Sequence, residues 1–412
     1  MKYLELYIHT PFCVRKCEYC DFLSFAADSR TQAQYIHALL EEIRFYGACM
    51  REYQVSTIYI GGGTPSWLDA ELIVSVMDTV YRSFSVTEDA EISIECNPGT
   101  VTAAKLAAYR RAGINRLSIG LQSCNNEELK LLGRIHTYEQ FLKTYELARN
   151  AGFTNINVDL MSGLPYQTAD KFADTLQQVI RLKPEHVSAY TLIIEKGTPF
   201  YEKYKFDAVK QEAGMKTDIL PTEDEAYRIY KLTQHVLKKA GYGQYEISNY
   251  AKPGYACRHN IGYWTRDNYL GVGLGAASMI ENVRYANTRD IYAYIENCRK
   301  LCILPQKAFF EEDSPLLRQA GGDWFGSNLH VSTDILSRNA QIEEFMFLGL
   351  RMTEGVTRAD FERNFGMPVE AVYREVIEGL KREQLLLSAE GRISLTERGM
   401  DLANYCMAKF LF

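Results

Sequence analysis

The chain has 412 residues, 47% hydrophobic and 24% charged, with a net charge of -6. This is the balance of a folded globular protein rather than a disordered or fibrous one, and its sign removes any general attraction to nucleic acid or anionic lipid. The longest apolar stretch, Tyr269 to Ile280, is short and glycine-rich, and the start, MKYLELYIHT, carries no secretory hydrophobic region, so no bilayer span is expected and a cytoplasmic location is.

In chain order, short β-branched or apolar runs alternate with longer amphipathic stretches from residue 1 to about 195. The strands are expected at 4–9, 57–60, 91–95, 116–121, 155–160 and 186–192, with helices near 31–46, 68–83, 102–112, 126–132, 138–151 and 168–181. Six such βα units predict an α/β fold built on an incomplete parallel βα barrel, with a doubly wound sheet as the alternative.

The first strand runs into YIHTPFCVRKCEYCDF. Its Cys13, Cys17 and Cys20 have a spacing that suits an iron-sulfur cluster with one iron left without a protein ligand. His9 joining the three thiolates at a zinc ion is the competing assignment. Cys49, Cys96, Cys124, Cys298, Cys302 and Cys406 stand in apolar or mixed patterns and read as inert thiols. The other polar and glycine-rich signals, GGGTP, ECNPG, LQSCN and DLMSGLP, also fall just after strands, so a barrel would gather them at its C-terminal face, where such folds build active sites.

Residues 1–200 are therefore expected as the barrel core and 201–304 as an extension with a helix near 222–240, the polar aromatic run GYGQYEISNYAKPGYACRHNIGYW and a glycine-rich LGVGLGAAS. Residues 305–335 read as a loop or insertion, a candidate lid or docking loop. Residues 336–412 show three helices, a short hairpin and a last helix, a winged-helix-like α+β order. With nine Lys/Arg against twelve Asp/Glu over 341–412, that unit points to a structural or protein-contact role, not to DNA.

With CxxxCxxC after the first strand and GGGTP after the second, the sequence resembles the radical S-adenosylmethionine (SAM) superfamily. The run of YIHTPFC, GGGTPS, ECNPGT, RLSIGLQS, LLGRIH, NVDLMSGLP and HVSAYTLIIEKGTP resembles proteins like the oxygen-independent coproporphyrinogen III oxidase over most of residues 1–300. The resemblance implies a 4Fe-4S cluster on Cys13, Cys17 and Cys20 whose open iron chelates SAM. It also implies Tyr7, Gly62, Gly63, Thr64, Glu95, Gln122, Arg134 and Asp159 as SAM-binding residues. Their chemistry suits that role, since Arg134 can fork onto a carboxylate, and Gln122 and Asp159 can accept from ribose hydroxyls.

Only six residues precede Tyr7, and Cys20 is followed by Asp21 and Phe22, where the oxidase places a further cysteine; both departures weigh against porphyrinogen decarboxylation. His259, Asn260, Tyr263 and Trp264 form the HNxxYW pattern that resembles the HemW-type haem chaperones. That resemblance implies haem as cargo, His259 as its axial ligand, apo-haemoproteins of the respiratory chain as recipients, and flavodoxin or ferredoxin as electron donor. Ala277 stands in GAAS where many such relatives carry histidine, so no haem role is expected there. The alternative within the same resemblance is a radical SAM enzyme acting on a tetrapyrrole.

Overall fold

Along Lys2–Thr10 (β1) the side chains alternate: Leu4, Leu6 and Ile8 enter the apolar core, while Glu5, Tyr7 and His9 turn to the other face. The computed structural model describes residues 2–301 and 329–412. The strands Tyr53–Gly62 (β2), Ser85–Cys96 (β3), Arg116–Gln122 (β4), Ile156–Ser162 (β5) and His186–Thr191 (β6) add in sequence order, each parallel to the last. The connecting helices are Ser29–Cys49 (α1), Ala70–Ser83 (α2), Ala103–Arg111 (α3), Asn126–Leu131 (α4), Tyr138–Asn150 (α5) and Ala169–Leu182 (α6). Asp28, Thr102, Asn125, Thr137 and Thr168 set most of the helix starts by accepting from backbone N–H groups of the first turn.

A further helix, Pro199–Glu212 (α7), follows β6; its sequence carries too weak an apolar stripe to announce it. Glu223–Lys239 (α8) lies where the sequence pattern places a helix. The sheet continues past residue 200 on both edges. Asn249–Ala251 (β8) pairs antiparallel with β6 and with Gly243–Gln244 (β7), and Tyr269–Val272 (β9) pairs parallel with β1. Beyond β9 come Ala277–Ile280 (β10), Val283–Asn287 (β11) and His330–Ile335 (β12), all antiparallel, giving twelve strands in one sheet among the described residues. The last six residues of the expected 305–335 loop are thus a strand, ordered by pairing with β11; the candidate lid and Cys302 lie outside the described residues.

The C-terminal unit has its own apolar core around Met346, Phe361, Ile377 and Ile393. It is built from helices Arg338–Gly349, Arg358–Phe365 and Glu370–Arg382, followed by the hairpin Leu386–Ala389 with Arg392–Leu395, to which Val356–Thr357 adds a third strand. Polar ties join it to the barrel: Lys231 Nζ to Glu397 at 2.8 Å and Asp401 at 3.1 Å, and Glu344 between Arg266 and Arg284. No helix among the described residues is long and apolar enough to cross a membrane.

The strand register makes the barrel lumen polar. Thr57 stands beside both Glu5 and Glu91, Tyr59 beside both Tyr7 and Ser93, and Glu95 beside Ser118, which is followed by Asn157 and His186. Such groups require partners once removed from water. Helix Arg258–Thr265 (α9) supplies them for Glu91 and Thr57 at the N-terminal end of the strands. Its backbone N–H groups at Arg258 and His259 donate to Glu91 at 3.1 and 3.2 Å, and Gly262 lies so close to Glu5 that a Cβ there would meet the carboxyl at 2.1 Å. The HNxxYW run, which reads in the sequence as a polar aromatic segment, is this plug.

Candidate functional site

At the opposite, C-terminal end of the strands, the loop after β1 carries Cys13, Cys17 and Cys20, all free and half-exposed. Cys13 Sγ lies 3.4 Å from Thr64 Oγ1, and Arg134 Nη1 donates to Cys17 Sγ at 3.6 Å. A hydroxyl and a guanidinium beside two thiols suit anionic, metal-bound sulfur. Among the described residues no three His, Cys, Asp or Glu side chains close around a single metal ion. His9 does not reach the thiols: its Nδ1 pairs with Tyr7 OH and its Nε2 with the Leu23 carbonyl, both at 3.0 Å. The imidazole of the zinc assignment is therefore occupied elsewhere.

Around the thiols the structure gathers most of the sequence-nominated residues. Asn97, not singled out in the sequence, is the hinge of the cluster: its Nδ2 donates to Thr64 Oγ1 at 2.7 Å while its Oδ1 accepts from Arg134 Nη2 at 2.5 Å. The same Nη2 donates to the Gly120 carbonyl at 2.7 Å, so the guanidinium is fixed in orientation before any ligand arrives. The motif ECNPG contained the signal, because an amide on a strand end can donate and accept at once. Glu95 accepts from Gly62 N–H and from Tyr59 OH, each at 3.1 Å. Gly62 has φ 111°, and a Cβ there would lie 2.4 Å from the His9 ring, so the turn into GGGTP admits only glycine. Gly63 packs as tightly, a Cβ there meeting the Phe12 carbonyl oxygen at 2.7 Å.

Gln122 ends β4 in the left-handed region at φ 73°, an uncommon conformation for a non-glycine residue and one that gathers at functional sites. Asp159 is held deeper in the lumen by Ser118 at 2.9 Å and Asn157 at 2.7 Å. Tyr7 stacks on Tyr59 with ring centroids 6.4 Å apart, which links the cluster end to the plug, because Tyr59 in turn stacks on His259 at 5.2 Å.

His259 itself lies at the closed end. It is 1% exposed, its Nδ1 is 2.7 Å from Thr57 Oγ1, and its Nε2 is 3.2 Å from Tyr263 OH. Both ring nitrogens are therefore engaged inside the lumen in this conformation. Burial lowers its pKa to about 3 and raises that of Glu5 to about 9, so their 4.0 Å approach joins a neutral ring to a protonated carboxyl and is not an ion pair.

These shifts set a pH profile. Burial raises Glu5 to about 9, and Glu42 and Glu95 to about 7, with the Asp159 charge adding to the Glu95 shift. Above the unfolded carboxyl value near 4.5 and below these folded values, the native protein holds protons that the unfolded chain has released, so stability falls as pH rises through that window. His259 and His136, lowered by burial from 6.5 to about 3, act oppositely and add stability as pH rises from about 3 to 6.5. Above about pH 6.5, where the histidines no longer offset the carboxyls, thermal denaturation of the apo-protein is expected to show Tm falling with pH, with a shallower alkaline decline in Glu5→Gln. An identical alkaline limb in both proteins would show that Glu5 is already ionised at neutral pH.

The geometry agrees with what comparison finds. The family model for the radical SAM superfamily matches residues 7–179, and that for the HemN C-terminal domain matches residues 336–402. The chain is 33% identical over 406 residues to the heme chaperone HemW of Bacillus subtilis, covering 98% of each chain. It is 32% identical over 405 residues to that of Lactococcus lactis, covering 98% of this chain and 96% of the relative. HemW of Escherichia coli is 42% identical over 274 residues, 66% of this chain and 69% of its own. Among solved structures, the E. coli coproporphyrinogen III oxidase HemN superposes with a TM-score of 0.78 at 24% identity over 99% of this chain and 90% of its own, a likeness of fold.

Proposed function

The chain belongs to the HemW family of radical SAM proteins, and from that membership we propose that it is a haem chaperone that takes up haem and passes it to apo-haemoproteins of the respiratory chain. The observation that carries this reading is similarity running through 98% of this chain and 96–98% of two HemW proteins, barrel, extension and C-terminal unit together. Cys13, Cys17 and Cys20 hold the 4Fe-4S cluster, and flavodoxin or ferredoxin is its electron donor. When bound, cluster and SAM supply one-electron reductive chemistry.

The chain's own residues bind and orient. Arg134, pinned by Asn97 and Gly120, presents its guanidinium to the SAM carboxylate beside Cys17. Thr64 and the tight GGG turn of Gly62 and Gly63 shape the floor, and Gln122 and Asp159 meet the ribose. Glu95 takes the amino group when ionised; with its carboxyl at about 7, SAM binding strengthens as pH rises through neutrality. His259 steadies Tyr59 and Tyr7 from below and, once released from Thr57 and Tyr263, is the haem ligand.

The test is anaerobic reconstitution with iron, sulfide, SAM and haem, followed by incubation with respiratory membranes depleted of haem. Haem retained on gel filtration and then appearing in the membranes is the expected result. Failure to retain haem would overturn the chaperone reading, and conversion of coproporphyrinogen III in a parallel sample would place the chain among the oxidases.

A further inference from the structure

Lys105 lies in the first turn of α3, just past the ECNPGT loop, and its backbone N–H donates to the capping Thr102 hydroxyl at 3.2 Å. Its half-buried ammonium is wrapped in main-chain oxygen. Nζ donates to the carbonyls of Ser66 and Leu68, each at 2.9 Å, and of Thr100 at 3.2 Å, with the Trp67 carbonyl at 3.5 Å. An ammonium has three N–H donors, so four carbonyls use it completely. These partners are all neutral, whereas an exposed lysine is ordinarily left to water or a carboxylate.

The carbonyls belong to two different loops. Ser66, Trp67 and Leu68 lie in and just after the short turn Pro65–Trp67 that continues GGGTP beyond β2, and Thr100 closes the ECNPGT loop beyond β3. Ser66 and Thr100 in turn hold both backbone groups of Asn97: its N–H donates to Ser66 Oγ at 3.2 Å, and its carbonyl accepts from Thr100 Oγ1 at 2.7 Å. Ser66 Oγ and Thr100 Oγ1 are 2.6 Å apart, and with the Thr100 proton committed to Asn97, Ser66 is the donor between them. The Asn97 amide then passes the constraint to Thr64 Oγ1 and to Arg134. None of the ammonium's own bonds goes to Thr64, to Arg134 or to a cysteine of the triplet.

Resting on the reading that this site holds SAM, we propose that Lys105 is a positioning residue for SAM, its ammonium pinning the loops after β2 and β3 together and so fixing the Asn97 amide that aims Arg134. A charged donor suits the task, because hydrogen bonds from an ionised group are roughly twice as strong as neutral ones. Without it the two turns lose their common anchor and the guanidinium loses its aim. The cluster cysteines stand on a third loop, after β1, and keep their cluster.

The experiment is equilibrium dialysis of labelled SAM against the reconstituted full chain, at equal iron and sulfide content. The proteins are wild type, Lys105→Met, Lys105→Arg, Asn97→Ala and the double variant Lys105→Met/Asn97→Ala. Lys105→Met is expected to weaken SAM binding about three- to tenfold. Lys105→Arg keeps the charge and the N–H donors and is expected to recover most of that loss. The double variant is expected to bind SAM no worse than Asn97→Ala alone, because both changes cut the same relay; a role in folding alone predicts losses that add. The electron paramagnetic resonance signal of the reduced cluster gives a second readout: SAM changes it in Lys105→Met to the same final spectrum as in wild type, at higher SAM concentration. Wild-type affinity in Lys105→Met, additive losses in the double variant, or a loss in Lys105→Arg as large as in Lys105→Met would overturn the proposal. If Lys105→Met does not take up a full cluster, Lys105→Gln, with two N–H donors for the same carbonyls, is measured in its place against the same outcomes. Absence of SAM binding by the wild type would instead remove the SAM reading of the site, and the role of Lys105 with it.

Discussion

Cys17→Ala loses the cluster: iron and acid-labile sulfide fall to background and the broad visible absorption disappears, while the chain stays folded. The first half follows from stoichiometry, since three thiolates are all the sulfur ligands this loop provides and two do not retain a 4Fe-4S cluster stably. The second follows from position. Cys17 is half-exposed on an irregular loop, outside the apolar core, and what its backbone contributes, a carbonyl accepting from Cys20 N–H at 3.2 Å, survives the substitution. Arg134 gives up a 3.6 Å contact to sulfur but keeps its bonds to Asn97 and Gly120. Cys124→Ala is the matched control. That thiol is buried beside the Thr175 carbonyl at 3.7 Å, its pKa pushed up to about 12 by burial, and its loss costs packing and leaves the cluster untouched. A full cluster with SAM bound in Cys17→Ala would break the ligand assignment, and zinc without sulfide in the wild type would break the cluster assignment altogether.

Arg134→Ala separates SAM binding from cluster binding. The guanidinium is already oriented by one side chain and one carbonyl, so its remaining N–H groups need no reorganisation to meet a carboxylate. Hydrogen bonds to charged groups contribute about 1.5–3 kcal/mol, which predicts a fall in SAM affinity of roughly ten- to a hundredfold. Arg134→Lys keeps the charge but loses the fork, and an intermediate loss is expected. Equilibrium dialysis with labelled SAM on samples of equal iron content measures both. Unchanged affinity in Arg134→Ala would remove this residue from the site. Asn97→Ala should mimic part of the loss without touching any ligand, because Arg134 then has one anchor instead of two.

The parallel strands and their helices are legible because local signals suffice: alternating runs such as LELYIH, capping threonines and asparagines, and polar turns after each strand. Register cannot be read, and register decides the lumen. Glu5, Thr57 and Glu91 each look like the polar phase of an amphipathic strand, yet together they form one buried layer. Their partner is a helix of eight residues with no side-chain cap, lying more than 160 residues beyond Glu91 in sequence. For the same reason the HNxxYW run is legible as a pattern but not as a place. Its histidine and its tryptophan are five residues apart and face a closed lumen and a cavity wall respectively. Asn97 escapes notice because an asparagine before proline reads first as a turn residue.

The plug also bears on how the chain is made. When residue 200 has left the ribosome, all six parallel strands exist, but the Glu91 carboxylate still lacks the N–H groups of Arg258 and His259, and the outer edge of β1 still lacks β9. A half-formed lumen of that kind carries buried polar groups with nothing to pair them, so the nascent barrel gains little by closing early. The cooperative folding unit therefore reaches at least to Val272, and the boundary that the sequence pattern suggests near residue 200 is not a point at which synthesis can pause with a finished domain in hand.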